Sequence, residues 1–316
     1  MLSAAAFPSF QFHLEIWFLV LGLAFLGIYT ARVIQPKAVA AGEPAITAKQ
    51  KLCFWSGLFV MWAVTEWPMH DIAEERLYWI HMVQHSALTV IVPPLMLIAI
   101  PTWLARLIVG DGRFKRFLYF WARPVPALIV FNFLIALSHW AWIVNESIAN
   151  GWLHYGVHTV LVFAALLVWM PVCGPVPDLV VTPPMKIVTV FLISIIPTIP
   201  AAFLTTAEMP LYSGYDHGPR LWGFDVVNDQ QVAGVVMKVV TGFYLWVIIA
   251  VIFFRWALGD RTNSRKFRGK LVVHESALDD PDHPLDTDGS EVVTYEELMR
   301  RNPADDPVRA PHRARH

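Results

Sequence analysis

Histidine is the residue to follow first. The chain carries 12. Four of them (His274, His283, His312 and His316) sit in a charged tail, while His13, His70, His81, His85, His139, His154, His158 and His217 fall within or beside apolar stretches. Two pairs have helical spacing: His81 with His85, in Tyr78-Trp79-Ile80-His81-Met82-Val83-Gln84-His85, and His154 with His158. Residues four apart on a helix are neighbours, so each pair presents two imidazoles to one point. At about 100° per residue, Tyr78, His81, Met82 and His85 share one narrow face. Neutral imidazole suits Zn, Cu, Fe and Ni, and thioether sulfur selects Cu(I). Met82 inside the first pair and Met69 beside His70 tilt the set towards copper, although methionine is also common packing material. A single histidine in a membrane usually just bonds across to another helix, which is the simpler reading of His13, His70 or His217 taken alone. Five imidazoles at one level are another matter, because each has a polar nitrogen that needs a partner. His81, His85, His139, His154 and His158 are therefore expected to form a metal site, with Met69, His70 and Met82 as secondary or entrance ligands. No catalytic residue and no organic-cofactor site is assigned.

The elements that must hold these residues are membrane helices. Hydrophobic residues make up 56% of the 316 and charged residues 16%, against about 25% charged in a soluble domain. Apolar runs of about 20 residues, the length that crosses a bilayer, recur seven times: roughly 14–34, 50–67, 75–100, 124–146, 152–172, 186–207 and 230–257. Basic residues alternate between the loops. Arg32, Lys37, Lys49 and Lys51 follow the first run, Arg106 to Arg123 the third, Lys186 the fifth, and Arg255 to Lys270 the last. The other loops hold Arg76 and Arg220 among many carboxylates. The expectation is an all-α membrane protein: seven transmembrane helices in one bundle over residues 1–258, N-terminus outside and C-terminus cytoplasmic. Residues 259–316, rich in Asp, Pro and Arg, read as a disordered, charged cytoplasmic tail. The first run lacks the flanks of a cleaved secretory signal and is expected to stay as an anchor. On this topology all eight histidines outside the tail lie at the outer side.

Other features are secondary. Pro93-Pro94 should bend the third run, and neighbouring helices must resatisfy the freed backbone groups. Asn132, His139 and Glu146 recur every seven residues and should form one inward stripe. Cys53 and Cys173 lie at the opposite end and read as packing residues, too few and too far apart for a disulfide framework. Lys238 sits deep in the last run; an ion pair with Glu66 or Glu146 is the simpler reading, and a role in ion or proton movement the sharper one. No basic, aromatic-interleaved face supports nucleic-acid binding.

Several spaced segments resemble one family, the CtaG-type cytochrome c oxidase assembly factors. These are His81-Met82-Val83-Gln84-His85 with Pro93-Pro94-Leu95 and Pro101; Ser138-His139-Trp140; Trp152-Leu153-His154-Tyr155-Gly156-Val157-His158; Trp169-Met170-Pro171-Val172 with Gly174-Pro175; Leu211-Tyr212; and Asp229 to Met237. The resemblance covers about residues 50–257. It implies a bacterial plasma-membrane, multi-pass protein, not an enzyme, that supports maturation of a haem-copper oxidase and supplies copper to its catalytic subunit. The lipid bilayer is the other partner. Lys238 departs from the aromatic residue expected in that family. Three other classes stay open: a membrane di-iron hydroxylase or desaturase, which also uses paired histidines; a b-type haem protein; and a transporter or scaffold with no bound metal, the transporter version weakened by the absence of inverted repeats in the sequence.

Overall fold

The computed structural model describes residues 8–216 and 221–259. His217 and all of the 259–316 tail after Gly259 lie outside the described residues. The first of two compact units, Met1–Phe253, holds everything below. Of the second, the described residues Phe254–Gly259 are helical.

The described residues fold into helices and turns with no strand. In chain order the α-helices are α1 (Leu14–Ala40), α2 (Ala48–Thr65), α3 (Met69–Glu75), α4 (Tyr78–Ala99), α5 (Thr102–Val109), α6 (Arg113–Trp121), α7 (Pro124–Ser138), α8 (Ala141–Ala149), α9 (Gly151–Cys173), α10 (Pro183–Thr206) and α11 (Val226–Gly259). Among the described residues α1, α4, α9, α10 and α11 are long and apolar enough to cross a membrane, and the pair α6 and α7, bent by 75°, makes a sixth if it counts as one span. All seven runs read from the sequence are helical. The run at 50–67 is α2, whose 18 residues include Lys49 and Lys51. The run at 124–146 is not one helix: α7 stops at Ser138, and α8 begins at Ala141. That break dissolves the expected stripe. Asn132 is partly buried, His139 is the C-cap of α7, and Glu146 is exposed. The outward faces are apolar, with Phe18, Phe25, Phe133, Phe163, Phe243 and Trp246 among the exposed side chains.

Prolines set the shape of α4. Residues Ala87–Ile91 form a π turn just before Pro93 and Pro94. The carbonyl of Thr89 would meet the N–H of residue 93 in an α-helix or residue 94 in a π-helix, and neither proline has one. The indole Nε1 of Trp169, on α9, donates to that carbonyl at 3.1 Å. The sequence-based demand that a neighbouring helix repair this gap is thus met by a single buried tryptophan. α10 shows the related break, with Pro197 between two helical stretches.

The start of α4 carries the first histidine pair, and its cap comes from elsewhere. Leu77 occupies the N-cap and offers no side-chain acceptor. Asp229, buried on α11, accepts the N–H groups of Tyr78 and Trp79 at 2.9 Å each. A carboxylate there satisfies two orphan donors and meets the positive end of the helix dipole. Beside it Gln230 Oε1 accepts from the Leu211 N–H at 2.9 Å. Gly234 permits the close approach of α11 to α10, since a Cβ there would lie 2.7 Å from the Ala201 carbonyl oxygen.

Lys238 differs from its expected role. It is exposed on the π turn Val236–Val240 of α11, and among the described residues no ion pair includes it. A lysine on the flank of a membrane helix snorkels along its stem instead of pairing inside.

Trp169→Phe keeps a six-membered aromatic ring but removes the indole N–H and leaves the Thr89 carbonyl bare in the apolar layer. Unfolding in detergent, followed by circular dichroism, is expected to show a loss of about 1–3 kcal/mol. Asp229→Ala should cost about 0.5–2 kcal/mol through the lost cap. An unfolding midpoint equal to the parent's for either variant would contradict the assigned contact.

Candidate metal centre

Two helices deliver the heart of the site. His81 and His85 come from the first two turns of α4, and His158 from the second turn of α9. One ring nitrogen from each lies within 4.8 Å of the other two. Ring centroids are 5.7 Å apart for His81 and His85, 5.3 Å for His81 and His158, and 5.0 Å for His85 and His158. His81 stacks on Tyr78 at 5.8 Å, the face-sharing that the helical period predicts. Tyr78 in turn packs edge-on against Tyr212 and Tyr215. The trio is therefore held from behind by a buried aromatic cluster.

The other two expected ligands flank the trio. His154 lies 4.4 Å from His158 and 5.6 Å from His81, ring to ring. His139 lies 5.7 Å from His85. As the C-cap of α7 its backbone turns out of the helix, and its carbonyl accepts the Tyr212 hydroxyl at 2.9 Å. Its Nδ1 is 2.7 Å from the Ile135 carbonyl, an oxygen that can only accept, so Nδ1 carries the proton. That leaves Nε2 with a lone pair, and this buried nitrogen has no hydrogen-bond partner. A ring fixed by a backbone carbonyl on one nitrogen and open on the other is the arrangement a metal-binding histidine uses. His81 Nδ1 is likewise buried without a partner. Leaving such atoms bare costs about 1–3 kcal/mol each, and an ion would satisfy them. The donor set thus fits a transition metal.

A cavity of about 20 Å³ touches His81, His85, His139, His154 and His158 together with Tyr78 and Met82. A second, of about 40 Å³, touches Met82, His85 and His139 and continues past Thr89, Met237 and Thr241. A water needs about 10–15 Å³, so the first has room for a water or an ion and none for a macrocycle. Met82 borders both cavities, as an additional ligand would. Met69 does not: it packs against two apolar clusters around Ile72 and Val64.

His70 and His13 extend the row of rings. His70 is 6.5 Å from His154, and His13 is 4.7 Å from His70. His13 Nε2 is 3.2 Å from Asp71, and both His70 and His154 reach Glu74. Burial holds the His70 imidazole below the ordinary histidine value, with Glu74 pulling the other way. Burial pushes the Glu74 carboxyl up, but the bond from His154 and the nearby imidazoles outweigh it and hold Glu74 below the usual carboxylate range. His13 and His70, simple packing histidines when taken alone, are thus part of a continuous polar file. Sequence reasoning reads Asp71, Glu74 and Glu75 as an acidic entrance, but does not find that Glu74 meets both His70 and His154. Its spacing of four from His70 in a short helix was the available signal. Nor did it single out Asp229, the cap that fixes the first pair. Cys53 and Cys173 are free thiols, and Cys173 donates to the Trp169 carbonyl at 3.6 Å, consistent with packing.

Comparison with known proteins gives one match. The family model of the cytochrome c oxidase caa3 assembly factor (Caa3_CtaG) matches residues 16–258. No curated protein and no solved structure matches the chain.

The geometry divides the histidines into essential and supporting ones. With Co²⁺ as an optical probe, His85→Ala or His158→Ala is expected to abolish the ligand-field bands. His139→Ala should leave them present with about a tenfold weaker affinity. Equal loss in all three variants would contradict the division.

Proposed function

The chain belongs to the cytochrome c oxidase caa3 assembly factor family, and on that premise we propose that it binds copper at its extracytoplasmic side and supports metallation of the oxidase's catalytic subunit. Copper is the cargo in this reading. The observation that carries it is the trio of His81, His85 and His158, three nitrogens from two helices within 4.8 Å of one another. Imidazole nitrogens, with Met82 lining the same cavity, suit copper in its lower oxidation state. Three protein ligands, with further imidazoles alongside, give affinity enough to capture an ion while leaving positions for a partner's ligands to enter. An assembly factor needs that exchangeability. The small cavity favours an ion over the b-type haem alternative.

We further propose seven crossings of a bacterial plasma membrane, N-terminus outside and C-terminus inside. Helices at all seven apolar runs and the alternation of Arg and Lys between loops support this. On that orientation the acidic helix α3, bearing Asp71, Glu74 and Glu75, faces the side from which copper arrives. Their charge raises the local cation concentration within a Debye length, about 8 Å at physiological salt.

The test joins metal analysis to oxidase assembly. Purified chain is expected to hold about one Cu(I) at the trio. A variant with His81, His85, His154 and His158 all replaced by Ala should hold none there. Cells carrying that variant should make an oxidase with haem but with depleted copper in its catalytic subunit. A quadruple variant that binds copper as the parent does and supports a fully metallated oxidase would refute the proposal.

A further inference from the structure

Two short helices, α5 and α6, follow the end of α4 opposite to its histidines. α6 meets α7 at a bend of 75°. α7 exposes Val125, Ile129 and Phe133 at a spacing of four, an apolar stripe of the kind that faces hydrocarbon. A helix turned by that angle from one that crosses the bilayer runs close to the membrane plane. The sequence of α6 suits that plane. At about 100° per residue, its exposed arc runs from Arg116 through Phe120, Arg113 and Phe117 to Phe114. Guanidinium groups line one edge of the arc and phenyl rings the other, the division an interfacial helix needs. The opposite side, at Leu118 and Tyr119, packs onto the large apolar core. We propose that α6 lies in the headgroup layer and that Arg113 and Arg116, with Arg123 at the bend, bind the phosphate of an anionic phospholipid.

The charge balance picks the headgroup. From Arg106 to Arg123 the basic residues are Arg106, Arg113, Lys115, Arg116 and Arg123, and the acid is Asp111. Two of these cations are already matched: Arg106 reaches Glu43 at 2.6 Å, and Lys115 reaches Asp111 at 2.8 Å. Among the described residues no ion pair includes Arg113, Arg116 or Arg123, and all three are exposed. The charge the fold leaves over is thus guanidinium, set beside phenyl rings. Guanidinium is the side chain that matches phosphate oxygens in pairs. A phosphodiester capped by glycerol keeps its negative charge for them. A zwitterionic headgroup brings an ammonium that the same groups repel.

A cavity of about 290 Å³ opens beside α6, between α5 and the loop that holds Asp178. It is a poor seat for the phosphate. Its cations are the two already paired, Asp111 and Asp178 also line it, and Tyr119 donates to Asp178 at 3.0 Å. The exposed arc is the better seat. Along the chain it leads through the bend into the Val125–Ile129–Phe133 stripe. A lipid serves both surfaces, with phosphate on the arginines and acyl chains on the apolar side chains. An acidic protein segment would serve only the first. The inference rests on α7 crossing the bilayer and on nothing in the histidine file.

The experiment uses the full chain with Cys53 and Cys173 replaced by Ala and a nitroxide attached through Phe117→Cys or, in a separate sample, Phe133→Cys. In vesicles of phosphatidylcholine and phosphatidylglycerol, electron paramagnetic resonance with oxygen and a nickel chelate is expected to place the first label at the headgroup–acyl boundary and the second in hydrocarbon. In neutral detergent, short-chain phosphatidylglycerol should immobilise the first label with an affinity at least about tenfold above that of phosphatidylcholine, and Arg113→Gln, Arg116→Gln or Arg123→Gln should each weaken it about fivefold. The triple variant should show no preference between the two lipids, and free glycerol phosphate should leave the label unmoved. Equal affinities for the two lipids in the parent, or a preference that survives the triple variant, overturn the proposal. Glycerol phosphate acting as well as the lipid overturns it in favour of a soluble-phosphate site. A first label in water with the second in hydrocarbon overturns the placement of α6 and leaves the crossing by α7 standing. Both labels in water overturn the crossing, and the proposal with it. Circular dichroism reports folding, and should the triple variant unfold, the three single variants decide.

Discussion

The carboxylate of Asp229 against the first two N–H groups of α4 is the contact on which the histidine geometry rests. An apolar layer offers no water to a helix end, so exposed donors must be met by protein. Leu77 cannot meet them, and Asp229 does so from α11. One bond pair thereby fixes the rotation of α4 about its axis relative to α11. Rotation is what decides whether His81 and His85 point at α9 or at lipid. The Tyr212 hydroxyl on the His139 carbonyl and the Tyr215 hydroxyl on the Ala73 carbonyl repeat the device around the same centre. The histidines of the candidate site are thus oriented by polar contacts to backbone from segments that carry none of them.

Much of this was legible beforehand. Helix type and approximate extent follow from apolar run length, and the two i,i+4 histidine pairs follow from the helical period. Both survive in the structure, with His81, His85 and His158 clustered as the face arithmetic implies. The demand for a partner at Pro93-Pro94 was also readable, although not that Trp169 would answer it. What escaped notice depends on contacts remote in sequence. Asp229 lies about 150 residues from the N–H groups it caps, and periodicity carries no such information. The Asn132–His139–Glu146 stripe failed because a heptad was extended through the helix break at His139. Lys238 was assigned an internal partner on depth alone, whereas the side of the helix it occupies faces outward.

The histidine file also shows how a membrane protein affords several imidazoles in one place. Three of the rings have one nitrogen accounted for locally, by Ile135 for His139, Gln84 for His70 and Asp71 for His13, whereas His81 Nδ1 is buried without a partner. A ring so tethered has lost its rotational freedom before any ion arrives, which removes part of the ordering cost of binding.

The π turns in α4 and α11 have a mechanical corollary. Each is a one-residue excess within an otherwise regular rod, and both lie immediately past the histidine-level segment, at Ala87–Ile91 and Val236–Val240. The Thr241 hydroxyl, just after one wide turn, donates to the Ser86 hydroxyl, just before the other, at 2.8 Å. Beyond them the helical phase is reset. Drift in length or composition along the far portion of either rod is absorbed at the bulge, so that portion can diverge without twisting the imidazoles off their shared axis.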